Sequence, residues 1–207
     1  MNMEIIGSGT YGCVYFPGFN CKGKKHKKNN KLVSKITNDD IGVQSEYEIG
    51  QIIKKNIQNY DDFFLIVEKK CSIFKGSLDE YIKKSCHLVD EKNKKYHVLY
   101  SKFIQGYDLL EFYKLDLTKQ DNLHSYYSNF FIYYLNLTNG LLFLEYSNIV
   151  HFDLSLKNIR VNQETNKAII IDFGMSIITN KLIKSYNSYK KVTDFDRDLL
   201  KNYFSIN

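Results

Sequence analysis

The 207-residue sequence contains no tryptophan, a single proline and only four cysteines. With one proline, at position 17, there is no proline-rich linker or recognition segment. No apolar run approaches the roughly 18 residues that a membrane-spanning helix needs. The N-terminal stretch from Met1 to Ile6 is strand-like and too short for a signal peptide. These absences read as an intracellular, cytoplasmic protein with no membrane partner. Cys13, Cys21, Cys71 and Cys86 form no C-x-x-C pair, and no histidine lies at zinc-like spacing. In that compartment they are expected as reduced thiols. Without tryptophan, the aromatic share falls to 17 tyrosines and 14 phenylalanines, and a hydrophobic fraction of 43% is compatible with a sizeable core.

Charge is concentrated. The segment from Lys22 to Lys31 carries six lysines, equal to the whole net charge of +6, so the rest of the chain is balanced. No aromatic residues interleave that could stack on bases, so the run reads as a solvated loop rather than a nucleic-acid surface.

Glycines punctuate the first strand candidate. Ile6-Gly7-Ser8-Gly9-Thr10-Tyr11-Gly12-Cys13-Val14 reads G-x-G-x-x-G-x-V. Glycines at this spacing let backbone N–H groups approach phosphates. β-Branched and aromatic residues continue past Gly12, which predicts strand–turn–strand rather than strand–turn–helix. Leu32 to Ile36 reads as the next strand, with Lys35 on the same face as Val33. A lysine on a covered face is costly unless paired. Ser45 to Ile57 has a helical apolar period and carries two carboxylates that could pair with Lys35. Glu46 and Glu48 are two residues apart and cannot share one helix face. Glu46 places Ile49 and Ile53 at +3 and +7 and is favoured, with Glu48 left open. Phe63 to Glu68 reads as a strand, Ser77 to Lys84 as a small helical insertion, Tyr96 to Ile104 as a strand, and Tyr126 to Tyr146 as a buried core helix.

The chemistry concentrates in His151-Phe152-Asp153-Leu154-Ser155-Leu156-Lys157-Asn158 and, across a short apolar hairpin, Asp172-Phe173-Gly174. Asp153 can accept a proton from an attacking hydroxyl, while Asn158 and Asp172 offer hard oxygens to Mg²⁺. Asp153 and Asp172 are 19 residues apart, as a hairpin between two loops requires.

H-x-D-L-x-x-x-N, D-F-G, the glycine motif and Lys35, in this order, resemble the eukaryotic-type protein kinases over about residues 3 to 176. The resemblance implies a two-lobed α+β fold over residues 1–207, with the lobes meeting near 104. ATP and Mg²⁺ would lie between them. Residues Ile6 to Gly12 and Val14 would cover the phosphates, and Lys35 would contact them while pairing with a helix glutamate. The backbone around Lys102 to Ile104 would face adenine, and Asp108 would meet the ribose. Asn158 and Asp172 would hold Mg²⁺, and Asp153 would act as base. The implied activity is transfer to a serine or threonine of a protein substrate, by a monomer.

Three departures qualify it. Phe152 replaces the arginine of H-R-D, which suggests no switching through a phosphorylated loop. Ser155 stands where serine/threonine kinases carry lysine, though Lys157 could reach the same volume. Only 33 residues follow Gly174 and no A-P-E triplet occurs, so a shortened C-terminal lobe is expected. A terminal helix from Tyr189 to Phe204 is expected there, with Thr193 or Asp194 as cap and Asp194 or Asp196 bracing the catalytic loop. The alternatives are a nucleotide-binding pseudokinase and a small-molecule kinase. The H-F-D-L quartet and the heavy use of Lys, Asn, Ile and Tyr resemble the kinase-like proteins of giant DNA viruses.

Overall fold

The glycine-rich stretch folds as a hairpin because branched and aromatic residues flank it on both sides. In the computed structural model, which describes residues 3–23, 31–90, 92–114 and 123–182, β1 (Glu4–Gly9) pairs antiparallel with β2 (Gly12–Phe16). The register shifts between Ile5 and Gly7, so Ile6 bulges outward. β3 (Leu32–Thr37) follows, then α1 (Asp40–Asn56), β4 (Lys69–Phe74), α2 (Glu80–Ser85) and β5 (Lys95–Lys102). The five strands form one antiparallel sheet in the order β1-β2-β3-β5-β4.

Helix α1 begins earlier than its apolar period indicates. The Asp39 side chain accepts from the backbone N–H groups of Ile41 and Gly42 and starts the helix there. Its inward stripe buries Val43, Glu46, Ile49 and Ile53. Each fully buried isoleucine contributes roughly 1.5–3 kcal/mol.

The second lobe holds β6 (Gly106–Asp108), α3 (Leu109–Tyr113), α4 (Leu123–Tyr146), β7 (Ile149–Val150), β8 (Ile159–Asn162), β9 (Lys167–Ile170) and β10 (Ile177–Ile178). In the β6-β8-β9 sheet, the His151–Asn158 loop leads into β8 and Asp172 follows β9, while β10 pairs with β7. Phe173 ties the lobes. It packs with Ile49 and Ile53 of α1, Phe64, and Leu144 of α4.

Three expectations change. Phe63 to Glu68 is not a strand: the strand is Lys69–Phe74, and Phe64 makes only a parallel bridge to Ile170. Its apolar residues are there to fill the space between α1 and the lower sheet, with Phe64, Ile66 and Val67 buried. Helix α4 is not buried all round. Tyr133, Gly140 and Leu144 are covered, while Tyr127, Phe131 and Leu135 stand exposed among the described residues.

The cysteines are not free thiols. Cys13 pairs with Cys86 and Cys21 with Cys71, across sequence separations of 73 and 50. Strand pairing and the α2 insertion bring these distant positions together, which local spacing could not reveal. The terminal segment with Thr193, Asp194 and Asp196, and most of the basic run (24–30), lie outside the described residues.

Candidate active site

A solvent-open cleft of roughly 260 Å³ lies under the β1–β2 hairpin. Gly7, Ser8, Gly9, Thr10, Tyr11, Gly12 and Val14 line its roof, and Val33, Leu65 and Ile171 give it apolar walls. Side chains alternate along β2, so Val14 faces the cleft while Cys13 and Tyr15 are fully buried on the other side. Gly12 sits in a close approach: a Cβ there would lie 3.0 Å from Lys35 Cγ and 3.1 Å from the Ile36 carbonyl oxygen, so a larger residue would push on the Lys35 stem and β3. Ile6 is half exposed and absent from the cleft lining.

Lys35 extends from β3 to the cleft floor. Its Nζ donates to Glu46 Oε2 at 3.2 Å and to Asp172 Oδ1 at 2.8 Å. Gly174 leaves room for this approach, since a Cβ there would stand 3.3 Å from Asp172 Oδ1 and 3.5 Å from Glu46 Oε2. Burial opposes the Lys35 ammonium, but Glu46 and Asp172 outweigh it and hold its pKa above the ordinary lysine value. Burial also pushes the Glu46 carboxyl up; Lys35 pulls it down, Asp172 pushes it up again, and the net direction is up. Two carboxylates around one ammonium leave an excess negative charge, and such a cluster retains protons. A cation beside Asp172 would relieve that excess, so the donor set fits a hard divalent ion.

Glu48 is corrected by this geometry. It points away from Lys35, accepts from Lys181 at 2.7 Å and from Gln44, and its pKa is lowered by those bonds. Asp108 accepts from the Glu111 N–H as the N-cap of α3 and does not line the cleft.

The catalytic-loop segment sits below. Asn158 Nδ2 donates to the Asp153 carbonyl oxygen at 2.8 Å and to Asp153 Oδ2 at 2.9 Å. This fixes the Asp153 carboxylate and leaves the Asn158 amide oxygen as the end that could face a cation. Asp153 lines a second small recess together with Lys35, Glu46 and Asp172. Lys157 is exposed on the same loop. Phe152 and Asp172 adopt left-handed backbone conformations, with φ of 62° and 61°. Non-glycine residues there carry strain that the surrounding structure must sustain, a pattern concentrated at functional sites.

His151 supplies much of that support. Its Nε2 donates to the Ile171 carbonyl oxygen at 3.0 Å, and its ring lies 4.9 Å from that of Phe173. Its own carbonyl oxygen accepts from Ser176 Oγ. Burial lowers the His151 pKa below the ordinary histidine value, which favours the neutral ring. The sequence pattern gave His151 no separate role. The apolar pair Ile149–Val150 directly before it, which forms β7, is the signal that it would be buried.

The arrangement joins a glycine-roofed cleft, a buried lysine between two carboxylates, and an aspartate braced by an asparagine. It can bind a polyphosphate, hold a hard cation and orient a hydroxyl for in-line attack. No individual curated protein matches the chain. The protein tyrosine and serine/threonine kinase family matches it over residues 1–195, and the chain belongs to that family.

Proposed function

We propose that this protein kinase transfers the γ-phosphoryl group of ATP to a serine or threonine hydroxyl of a protein, acting as a monomer in the cytoplasm. The observation that carries the reading is the Lys35 ammonium held between Glu46 and Asp172 beneath the glycine hairpin. Lys35 binds phosphate oxygens there, with its direction fixed by Glu46. Val14, Val33, Leu65 and Ile171 suit the adenine faces. Asn158 and Asp172 would hold Mg²⁺, which supplies neutralisation of charge on the transferring phosphoryl group.

Asp153 accepts a hydrogen bond from the attacking hydroxyl, orients it and takes its proton. Asn158 keeps the Asp153 carboxylate from rotating away. Most of the rate enhancement is therefore positioning and electrostatic stabilisation.

The test is transfer from labelled ATP to a mixed protein acceptor, followed by acid hydrolysis to identify the phosphorylated residue type. Asp153→Asn is expected to lower transfer by about 10²–10⁴-fold while leaving the ATP dissociation constant within about twofold. Undiminished transfer by this variant would overturn the assignment. Label on tyrosine alone, or on small alcohols alone, would overturn the acceptor class.

A further inference from the structure

The back of the glycine hairpin is fastened to one short segment. Tyr15 Oη and Ser85 Oγ are 2.8 Å apart, and the Ile5 N–H donates to Tyr81 Oη at 3.4 Å. Ser8 Oγ lies 3.2 Å from His87 Nδ1. Cys13, next to Gly12, is bonded to Cys86. Residues 81–87 thus grip both arms of the hairpin, and one of the four links is covalent. Cys13 and Tyr15 are buried on the face opposite Val14, so the covalent link and the Tyr15–Ser85 bond stay out of the cleft.

We propose that Cys13 and Cys86 are a redox-modified pair whose disulfide locks the glycine hairpin over the cleft. Its consequence for nucleotide affinity rests on the ATP reading above. With the bond made, the hairpin is held in place before ligand arrives, and less ordering remains to oppose binding. With it broken, the link from residues 81–87 to the roof is reduced to the Ile5 and Ser8 contacts and the Tyr15 hydroxyl bonds to Ser85 and Ile82, beside the β2–β3 pairing.

The co-reactant is a low-molecular-weight disulfide. One deprotonated sulfur attacks the oxidant's S–S bond and releases one thiol. The second sulfur then displaces the other, so two S–H groups become one S–S bond and the oxidant becomes two thiols. In the bonded state His87 Nδ1 lies 3.8 Å from Cys13 Sγ, beside the thiol that reduction would create, and His87 is the exposed member of the cluster. Cys13 and Cys86 are buried, whereas Cys21 of the second disulfide is exposed. The Cys21–Cys71 bond should therefore exchange first, and the lock second.

The experiment equilibrates the full chain in oxidised or reduced glutathione and counts free thiols by alkylation and mass. It then measures amide hydrogen exchange over Gly7–Gly12 without ligand, and Mg–ATP affinity. Reduction is expected to speed exchange there about tenfold and to weaken ATP about tenfold. Cys86→Ser should behave as the reduced protein in both buffers, while Cys71→Ser should keep the response. Equal exchange in the two buffers, four free thiols after oxidation, or one zinc bound per chain by the reduced cluster would each overturn the lock. Redox-dependent exchange with no ATP binding in either state supports the lock and overturns the nucleotide reading instead.

Discussion

The two sides of the cleft are built differently. On the side proposed to hold nucleotide, Lys35 and Glu46 are largely buried, with side-chain exposures of 17% and 9%. They are positioned by β3 and α1, and the roof above them is fastened through residues 81–87. On the side proposed to meet the acceptor, Phe152, Asp153, Leu154, Leu156 and Lys157 are all exposed, and Asp153 is oriented by one asparagine. Geometry on the first side is a consequence of folding, because the chain cannot bury α1 without bringing Glu46 to Lys35. Geometry on the second side is local. Substitutions should therefore cost both stability and activity at the nucleotide wall, but activity alone at the acceptor rim.

The largest effect that would sharpen this contrast comes from Lys35→Met. It removes the ammonium from between two carboxylates and leaves Glu46 buried without its donor. Transfer is expected to fall by about 10²–10³-fold. Unfolding free energy, read by urea denaturation near neutral pH, is expected to fall by about 1–3 kcal/mol. Asp153→Asn, at the exposed rim, should shift stability by less than about 0.5 kcal/mol. Equal stability losses for the two variants would erase the distinction between the walls.

A smaller effect separates the two glutamates of α1. Glu46→Gln keeps volume and an acceptor oxygen but removes one charge from the cluster, so transfer should drop about 10–100-fold. Glu48→Gln touches an exposed pair with Lys181 and should change transfer less than twofold, with stability altered by no more than about 1 kcal/mol. Comparable kcat/KM losses for both would place Glu48 in the site, contrary to its geometry.

How much of this was legible in the sequence follows the same division. Gly7 to Gly12, Lys35, Asp153, Asn158 and Asp172 were readable as motifs because each depends on residue type at characteristic spacing; the structure puts the glycines, Lys35 and Asp172 on one cleft, with Asp153, bonded to Asn158, in the recess that shares Lys35 and Asp172. The choice of Glu46 over Glu48 was readable only as a preference, since helix phase depends on where α1 starts and Asp39 sets that. Phe63 to Glu68 misled because an apolar run reports burial, and here the cover comes from packing with residues of α1 and α4, with only an isolated bridge to β9. Asp108 misled because one carboxylate can either cap a helix or meet a ligand, and α3 begins immediately after it. The disulfides were invisible because their partners are joined only by the tertiary fold.

The smallest expected effect tests the element that links the two walls. His151 lies between the catalytic loop and the Phe173 cluster, so its protonation should weaken both sides together. Burial depresses its pKa below the ordinary histidine value of 6.5, with the Ile171 hydrogen bond, Asp172 and Asp153 offsetting only part. The unfolded chain therefore takes up this proton before the folded one does. Stability from His151 is fully present above the unfolded value and is lost as pH falls through it, until the folded value is reached. As pH falls below about 6.5 the slope of this loss cannot exceed about 1.4 kcal/mol per pH unit for one proton, and urea midpoints at about pH 7.5 and 5.5 should read it. Urea midpoints at the two pH values should differ less for His151→Gln than for the parent chain. An unchanged difference would mean that some other group carries the acid sensitivity, and that the buried imidazole does not couple the rim to the wall.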